Sequence, residues 1–161
     1  MENKKKCIFA GTFDPPTLGH KQMINACLDM FDEVVVAIPV NPSKKPYFTL
    51  EQRKEMLRLM FPEEDKIRFV ETDETIAELL KKEGTKYYVR GIRNATDLDY
   101  ENANFYATKK LNPKAEAVYL PCPQALLHVS SSMVRNSLYF GTSIAEYVSP
   151  EVEKYIREIQ K

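Results

Sequence analysis

The chain lacks an excess of charge of either sign. Over 161 residues, 23 Lys and Arg side chains balance 23 Asp and Glu side chains, so the formal net charge is zero. A neutral chain has no general attraction to nucleic acid or to an anionic membrane, and neither is expected as a partner. The sequence also lacks an apolar stretch long enough to span a bilayer. Any anionic ligand must therefore be held by a local cluster of positive charge.

Cysteine is scarce as well. The three cysteines, Cys7, Cys27 and Cys122, are far apart and form no CxxC pair. Their number and spacing indicate neither a disulfide framework nor a zinc site, which fits a reducing compartment. Asp14 and two prolines interrupt the first apolar run before it could form the core of a signal peptide. We therefore expect a cytoplasmic protein, and the length of residues 1–161 predicts a single domain.

Glycine is also rare, with only five residues in the chain. Gly11, Gly19 and Gly91 fall just past predicted strand ends or at a helix start. Without a Cβ, glycine lets a phosphate approach the backbone closely, but it also serves ordinary tight turns. Because neither the GxGxxG nor the GxxxxGKS/T phosphate signature is present, the spacing alone leaves both interpretations open.

What the sequence does contain is an alternation of short apolar and longer amphipathic segments. The run VVVAI at 34–38 is apolar without interruption, as in a strand that is covered on both faces. The other strands are predicted at 7–10, 67–71, 86–90 and 115–120. The pattern predicts an α/β fold: a doubly wound, Rossmann-like, five-stranded parallel sheet with helices on both faces, and ligand binding beyond the carboxyl ends of the strands.

Polar residues mark where the helices begin and end. Thr49 with Gln52 three residues later is a capping box. A further helix is predicted from about Asp73 to a stop at Gly84, and another begins at Ser149 before a proline. These signals divide the chain into the alternating helices that a doubly wound sheet requires.

The loop AGTFDPPTLGH at 10–20 joins the first strand to the first helix. His20 lies at the amino end of that helix, outside the apolar face formed by Met23, Ile24 and Cys27. A histidine there can direct an N–H at a phosphoryl oxygen beside the free helix amides, although the helix dipole disfavours its cationic form. A solvated histidine near a turn is the plainer alternative. The nearby glycines and threonines favour a functional role.

Positive charge follows two other predicted strands. Lys44 lies in NPSKKP, and Arg90 and Arg93 bound the segment RGIR. Loops that follow parallel strands converge at one edge of the sheet. Several cations there would bind a polyphosphate and neutralise charge that develops at phosphorus. Lys45 is interpreted as a solvated lysine.

Two weaker motifs add to the pattern. Asp97, Asp99 and Glu101 could hold a metal or a ribose, but acidic residues are common in the first turn of a helix, and this plainer interpretation is favoured for the two aspartates. The segment SSSMVR at 130–135 offers three hydroxyls and the amides of a helix start, with Arg135 one turn in. It would be a third helix start suited to anions.

These motifs, in this order and spacing, resemble those of the bacterial phosphopantetheine adenylyltransferases. TLGH at 17–20 resembles the H/TxGH signature of the wider nucleotidyltransferase superfamily, and SSSMVR resembles its serine-rich helix start. NPSKKP and RGIR followed by DYE are more discriminating, because they resemble this family rather than its nicotinate mononucleotide or cytidylyl relatives. The resemblance spans nearly the whole chain.

The resemblance implies an activity and its ligands. The reaction would be the transfer of AMP from ATP to 4′-phosphopantetheine, which yields dephospho-coenzyme A and pyrophosphate in the penultimate step of coenzyme A synthesis. It further implies Mg²⁺ as cofactor, a homohexamer, and coenzyme A as a feedback ligand. No residue is assigned as a metal ligand.

Motif by motif, the resemblance also implies site residues. It implies catalytic roles for His20, Lys44 and Arg93. It implies acceptor binding by Thr12, Lys44, Ile76 and Arg90. For ATP it implies Thr12, Phe13, His20, Gly91, Ile92, Arg93, Glu101, Leu126, Leu127, His128, Val129, Ser130, Ser131 and Ser132. Thr75 stands where the pantetheine wall of the family is usually apolar, and His128 stands where relatives often have an aromatic residue.

Two other functions remain open on the residues alone. The same chemistry could serve a different acceptor, such as nicotinate mononucleotide or a phosphorylated polyol. The pocket could also belong to a nucleotide sensor, which would bind ATP tightly and release no pyrophosphate. Nucleic-acid binding is disfavoured, because the chain has no net positive charge and no extended basic stripe.

Overall fold

The computed structural model describes residues 3–161, which include one five-stranded sheet. The strands are β1 (Lys6–Ala10), β2 (Glu33–Pro39), β3 (Ile67–Thr72), β4 (Tyr87–Ile92) and β5 (Glu116–Pro121). The α-helices are α1 (Leu18–Met30), α2 (Leu50–Met60), α3 (Ile76–Glu83), α4 (Ala95–Leu111), α5 (Ser131–Phe140) and α6 (Pro150–Ile159). A short 3₁₀ turn spans Gln124–Leu126. Within the described range, every helix is too short or too polar to cross a membrane.

The strands are all parallel and lie in the order β3-β2-β1-β4-β5. β1 is therefore the central strand, with β2 on one side and β4 on the other. The chain first adds β2 and β3 on one side of β1 and then adds β4 and β5 on the other side. The connections that follow β1 and β4 therefore diverge and leave a crevice at the carboxyl edge of the sheet. The predicted five-stranded parallel sheet is confirmed.

Alternate residues of the strands pack on opposite faces of the sheet. Phe9 belongs to a core formed with α1 and α2, whereas its neighbour Ile8 belongs to a core formed with α3 and α4. A third apolar cluster joins α2, α5 and α6. All five residues of the run at 34–38 are 0% exposed, because helices cover β2 on both faces. The prediction of helices on both faces is thus confirmed.

Threonine caps set the starts of three helices. Thr17, Thr49 and Thr75 each form a capping box with the third residue of the helix that follows. α3 therefore begins directly after Thr75, two to three residues later than the predicted start near Asp73. Gly84 ends α3 in the left-handed conformation that glycine adopts readily, in agreement with the prediction.

β4 is longer than predicted at its carboxyl end. The strand continues to Ile92 because Gly91 and Ile92 align in register with Leu120 and Pro121 of β5. Gly91 therefore lies inside a strand and not after one. A Cβ at this position would lie 3.1 Å from the Met23 sulfur, so α1 packs closely on β4 here, and a larger residue would require the Met23 side chain to shift.

Candidate active site

A cleft with a volume of about 860 Å³ opens at the carboxyl edge of the sheet. Its walls include the loop after β1, the end of β4, and the first turns of α1, α3 and α5, so it lies at the crevice where strand order reverses. The predicted site residues that line it are Thr12, Phe13, His20, Ile76, Arg90, Gly91, Arg93, Glu101, Val129, Ser130 and Ser131. The fold thus brings together residues that are up to 119 positions apart in the chain.

The remaining predicted residues lie outside the cleft wall. They are Lys44, Ile92, Leu126, Leu127, His128 and Ser132. Lys44 is exposed in the loop after β2, where its backbone N–H donates to the Asn41 carbonyl at 3.1 Å. His128 is also exposed and packs edge-on against Tyr147, with a centroid distance of 6.0 Å. Roles for these residues in ligand binding stay predictions.

The imidazole of His20 is held in one orientation by the cap of α1. The Thr17 backbone N–H donates to Nδ1 at 3.0 Å, and the Thr17 hydroxyl lies 3.2 Å from the same nitrogen. Because Nδ1 accepts a hydrogen bond, the proton of the neutral ring is assigned to Nε2. The Phe13 ring supports the imidazole edge-on at a centroid distance of 4.8 Å. His20 therefore presents a fixed Nε2–H donor from the cleft wall.

His20 is uncharged near neutral pH. Burial, and secondarily the positive charge of Arg90, lowers the pKa of His20 from 6.5 to about 4. A neutral imidazole can donate a hydrogen bond without placing a second cation beside Arg90. The donor role is thus compatible with a site that already carries positive charge.

The backbone of the loop after β1 is tethered by side chains from β4, α2 and α5. Each tether donates to a main-chain carbonyl at 2.7–2.9 Å. In chain order the bonds run from Arg90 to Ala10, from Arg53 to Thr12, from Arg135 to Asp14 and from Ser131 to Pro15. Four carbonyls within six residues are therefore engaged, which holds the loop in place before any ligand binds.

Asp14 connects the same loop to the start of α2. Its two carboxylate oxygens accept the backbone N–H groups of Tyr47 and Phe48, each at 2.8 Å. Asp14 is buried, and these two bonds compensate the cost of removing its charge from water. The aspartate of the GTFDPP sequence therefore serves as an anchor for the loop.

The two glycines of this region meet different surroundings. A Cβ at Gly11 would lie 3.0 Å from Cζ of Phe13, so a side chain could be accommodated only if that buried ring shifted. Phe13 is 1% exposed and has a φ of 51°, an unusual value for a bulky residue. A Cβ at Gly19 would meet only Oγ1 of Thr17, at 3.4 Å. Open space for an anion therefore fits Gly19, whereas tight packing explains Gly11.

Arg90 and Glu101 form a two-bond ion pair that links β4 to α4. Nε and Nη2 of Arg90 donate to the carboxylate of Glu101 at 3.1 and 2.9 Å, while Nη1 donates to Ala10. Glu101 is buried and Arg90 is partly exposed. One predicted acceptor-binding residue is thus paired with one predicted ATP-binding residue, and their charges largely neutralise each other.

Arg93 is more exposed and is held by the first turn of α4. Its backbone N–H and its Nε both donate to one oxygen of Asp97, at 3.0 and 3.2 Å. Burial alone would raise the pKa of Asp97, but the bonds and the charge of Arg93 lower it overall. Within residues 3–161 the two terminal nitrogens of Arg93 have no hydrogen-bond partner. They are available to a phosphate in the cleft.

The serine hydroxyls at the start of α5 are already engaged. Ser130 caps the helix, Ser131 donates to the Pro15 carbonyl at 2.7 Å, and Ser132 accepts from Arg135 at 3.1 Å. What this helix start offers an anion is therefore mainly its free backbone amides. The predicted caps at Ser130 and, for α6, at Ser149 are confirmed.

The acidic residues of the cleft do not build a metal site of their own. Within residues 3–161, no group of three or more His, Cys, Asp or Glu side chains could hold a metal ion. Asp97 and Glu101, the acids of the cleft wall, are bonded to arginines. Because Mg²⁺ commonly binds substrate phosphates and water with few protein ligands, this donor set fits an ion brought by a triphosphate and not a resident one.

One wall of the cleft was missed by sequence reasoning. Residues on one face of α4 form it, namely Tyr100, Asn104, Ala107, Thr108 and Leu111. Their spacing is that of a single helix face, so a signal was present, but the mixture of polar and apolar types conceals it from a search for apolar periodicity. Arg53 was also missed, because an arginine in an amphipathic helix normally indicates a solvated position.

Proteins of similar sequence carry adenylyltransferase names. The cytidylyltransferase-like family model matches residues 8–137. The phosphopantetheine adenylyltransferase of Thermotoga neapolitana is 37% identical over 151 residues, which covers 94% of this chain and 94% of that protein. The phosphopantetheine adenylyltransferase of Flavobacterium johnsoniae is 39% identical over 137 residues, which covers 85% and 90% of the two chains.

Solved structures share the fold at lower identity. A putative nicotinate-nucleotide adenylyltransferase from Vibrio parahaemolyticus superposes with a TM-score of 0.72 at 22% identity, and covers 97% of this chain and 93% of that one. The nicotinic acid mononucleotide adenylyltransferase of Plasmodium falciparum, complexed with APC, has a TM-score of 0.70 at 19% identity, with coverage of 98% and 96%. These likenesses establish the architecture of the sheet and its helices.

Proposed function

Because this chain belongs to the phosphopantetheine adenylyltransferase family, we propose that it transfers AMP from ATP to 4′-phosphopantetheine, with release of dephospho-coenzyme A and pyrophosphate. The observation that supports this function most directly is the neutral, oriented donor of His20 in the same cleft as Arg90 and Arg93, at the point where strand order reverses. A ligand rich in phosphate oxygens meets donors and positive charge there.

The acceptor phosphate attacks the α-phosphorus of ATP directly. A phosphate monoester is already anionic near neutral pH, so the chain need not supply a strong base. A bond forms between an acceptor oxygen and the α-phosphorus, while the bond from the α-phosphorus to the oxygen of the leaving pyrophosphate breaks. No side chain becomes covalently attached. The protein's task is to position the two substrates and to stabilise developing charge.

His20 stabilises the charge that develops at the α-phosphate. Its Nε2–H donates to a non-bridging oxygen, and the bond from Thr17 to Nδ1 keeps the ring in the required orientation. Because the pKa of His20 is about 4, the ring stays neutral near pH 7 and acts as a hydrogen-bond donor without taking up a proton. An uncharged donor of this kind costs little reorganisation when the substrates react.

The acceptor binds at the side of the cleft next to the loop after β1. Thr12 is exposed there, and its hydroxyl donates to the acceptor phosphate. Lys44 approaches the same phosphate from the exposed loop after β2. Ile76, together with Leu111 from the α4 wall, supplies apolar surface for the pantetheine arm. Arg90 contributes from the end of β4 while it remains paired with Glu101.

ATP binds between the end of β4 and the start of α5. The free terminal nitrogens of Arg93 and the amides at the start of α5 bind phosphate oxygens, and the segment 126–132 borders the nucleotide. Mg²⁺ is brought by the triphosphate. A homohexamer and feedback by coenzyme A rest on the family resemblance. A cytoplasmic location rests on the cysteine pattern and on the interrupted first apolar run, and all three are part of the proposal.

Pyrophosphate release tests the proposed function. The purified protein is given ATP and Mg²⁺ with 4′-phosphopantetheine, with nicotinate mononucleotide, or with no acceptor. We expect pyrophosphate and dephospho-coenzyme A to form only in the mixture that contains 4′-phosphopantetheine. Turnover only with nicotinate mononucleotide would assign a different acceptor, and ATP binding without pyrophosphate in any mixture would indicate a sensor.

A further inference from the structure

Arg53 is a buried arginine without a carboxylate partner. It lies in α2 and is 5% exposed. In the described part of the chain, the ion pairs that α2 makes are those of Lys54 and Arg58, and none involves Arg53. Its Nε is buried and has no hydrogen-bond partner within residues 3–161. The positive charge is therefore largely removed from water, and no Asp or Glu oxygen of the described residues lies within ion-pair distance of it.

The contact that Arg53 does make points towards the cleft. Its Nη1 donates to the backbone carbonyl of Thr12 at 2.9 Å. Thr12 is the residue whose hydroxyl is proposed to meet the acceptor phosphate. A buried charge is unfavourable unless it is paired or hydrogen-bonded, so an anion that binds at Thr12 would supply the missing compensation.

The other tethers of this loop do not share this property. The charge of Arg90 is neutralised by Glu101 at 2.9 Å, and Arg135 is partly exposed to solvent. Asp14, in the same loop, accepts hydrogen bonds from the backbone N–H groups just before α2, while Arg53 in α2 donates to the loop. These contacts fix Arg53 and the loop relative to each other. Arg53 alone combines a rigid contact with an uncompensated charge among these tethers.

We propose that Arg53 is a positioning residue for the acceptor phosphate, acting through the Thr12 carbonyl and through its own unpaired charge. This inference rests on the proposed function, because it takes Thr12 as the place where the acceptor phosphate binds. Arg53 itself stays beneath the loop and does not touch the substrates. Its influence should therefore fall on the acceptor and spare ATP.

The primary test compares Arg53→Met with Arg58→Met. Both variants remove one positive charge from α2, but Arg58 lies on the exposed face and pairs with Glu55 at 3.4 Å. In Arg53→Met we expect the KM for 4′-phosphopantetheine to rise on the order of tenfold to a hundredfold, the effect of losing a hydrogen bond from a charged group. The KM for ATP should stay within about twofold. Arg58→Met should match the wild type in both.

A double-mutant cycle with Thr12 tests the route of action. If Arg53 acts through Thr12, the combination of Thr12→Ala with Arg53→Met should raise the acceptor KM much less than the product of the two single effects. If Arg53 had only a structural role, Arg53→Met would raise the KM for both substrates. Its effect on the acceptor KM would then multiply with that of Thr12→Ala.

A lysine variant keeps the test decisive if Arg53→Met fails to fold. Arg53→Lys retains the charge but lacks the planar set of donors, so it should raise the acceptor KM severalfold and leave the KM for ATP unchanged. An acceptor KM equal to that of the wild type, or equal increases for both substrates, would overturn the inference while wild-type turnover still supports the proposed function. Absence of wild-type turnover with 4′-phosphopantetheine would overturn both.

Discussion

Replacement of His20 by alanine should separate catalysis from nucleotide binding. The substitution removes the Nε2–H donor that the Thr17 bond and the Phe13 ring hold in place. Loss of one preorganised donor to transition-state charge typically reduces kcat by about 10² to 10³, or about 2.7–4 kcal/mol. The ground-state phosphate needs this donor less, so the affinity for ATP should change little.

The same substitution also removes part of a helix cap, which must be distinguished from catalysis. The Thr17 N–H loses its acceptor, at a cost of about 0.5–1.5 kcal/mol in the free energy of unfolding. Glutamine is a matched control, because Gln52 occupies the equivalent position in the capping box of Thr49. His20→Gln should therefore recover most of the stability, and it should not recover the imidazole donor.

The assay is steady-state pyrophosphate release for the wild type, His20→Ala and His20→Gln, with ATP affinity measured by calorimetry and stability by urea unfolding. We expect both variants to be slow, and only the alanine variant to be measurably destabilised. A kcat within about threefold of the wild type in His20→Ala would refute the donor role, since removal of such a donor typically lowers kcat by about 10² to 10³. Full recovery of kcat in His20→Gln would reduce His20 to a cap.

Three further predictions concern stability and the shape of the loop. The pKa of His20 is about 4 in the fold against 6.5 for an ordinary histidine, so the unfolded chain binds the proton first as pH falls. Urea unfolding should therefore show the wild type losing up to about 3 kcal/mol more stability than His20→Gln between about pH 6.5 and 4. Equal losses in the two proteins would contradict the lowered pKa. Gly11→Ala should lower the free energy of unfolding by about 1–3 kcal/mol because the new methyl group would clash with the Phe13 ring, whereas Gly19→Ala should fold normally and bind ATP more weakly. The reverse pattern would contradict the assignment of the two glycines. Arg90→Met should destabilise the fold by about 3 kcal/mol because it leaves the buried Glu101 unpaired, and adding Glu101→Met should restore most of that loss; an additive double variant would show that the pair is not coupled.

Much of the fold could be predicted because its signals are local. The uninterrupted run at 34–38 indicates a strand buried on both faces, and Thr49 with Gln52 indicates a helix start, each within a few residues. The start of α3 was predicted too early because two acidic or polar positions compete for the cap, and the box of Thr75 wins through its bond to Glu78 at 3.2 Å.

The candidate site was predictable only in part. The loop at 10–20 and the RGIR segment predict hydrogen-bond donors and cations at strand ends, and the parallel sheet brings these groups to one edge. The sequence pattern does not reveal that Gly11 must accommodate Phe13, or that Arg90 is paired with Glu101. The α4 wall could not be predicted because it faces the open cleft, and a helix face that lines a cleft need not be uniformly apolar.

The amino-acid sequence by itself determined the alternation of strands and helices, the caps, and the types of residue placed at the strand ends, since these depend on side-chain periodicity and on hydrogen bonds between near neighbours. The tertiary structure alone decided the charge state of His20, the tether from Arg53 to Thr12 across 41 positions, and the bond from Arg90 to Ala10 across 80. These properties arise from burial and from contacts between distant segments, so they exist only when the sheet has assembled and water has been excluded.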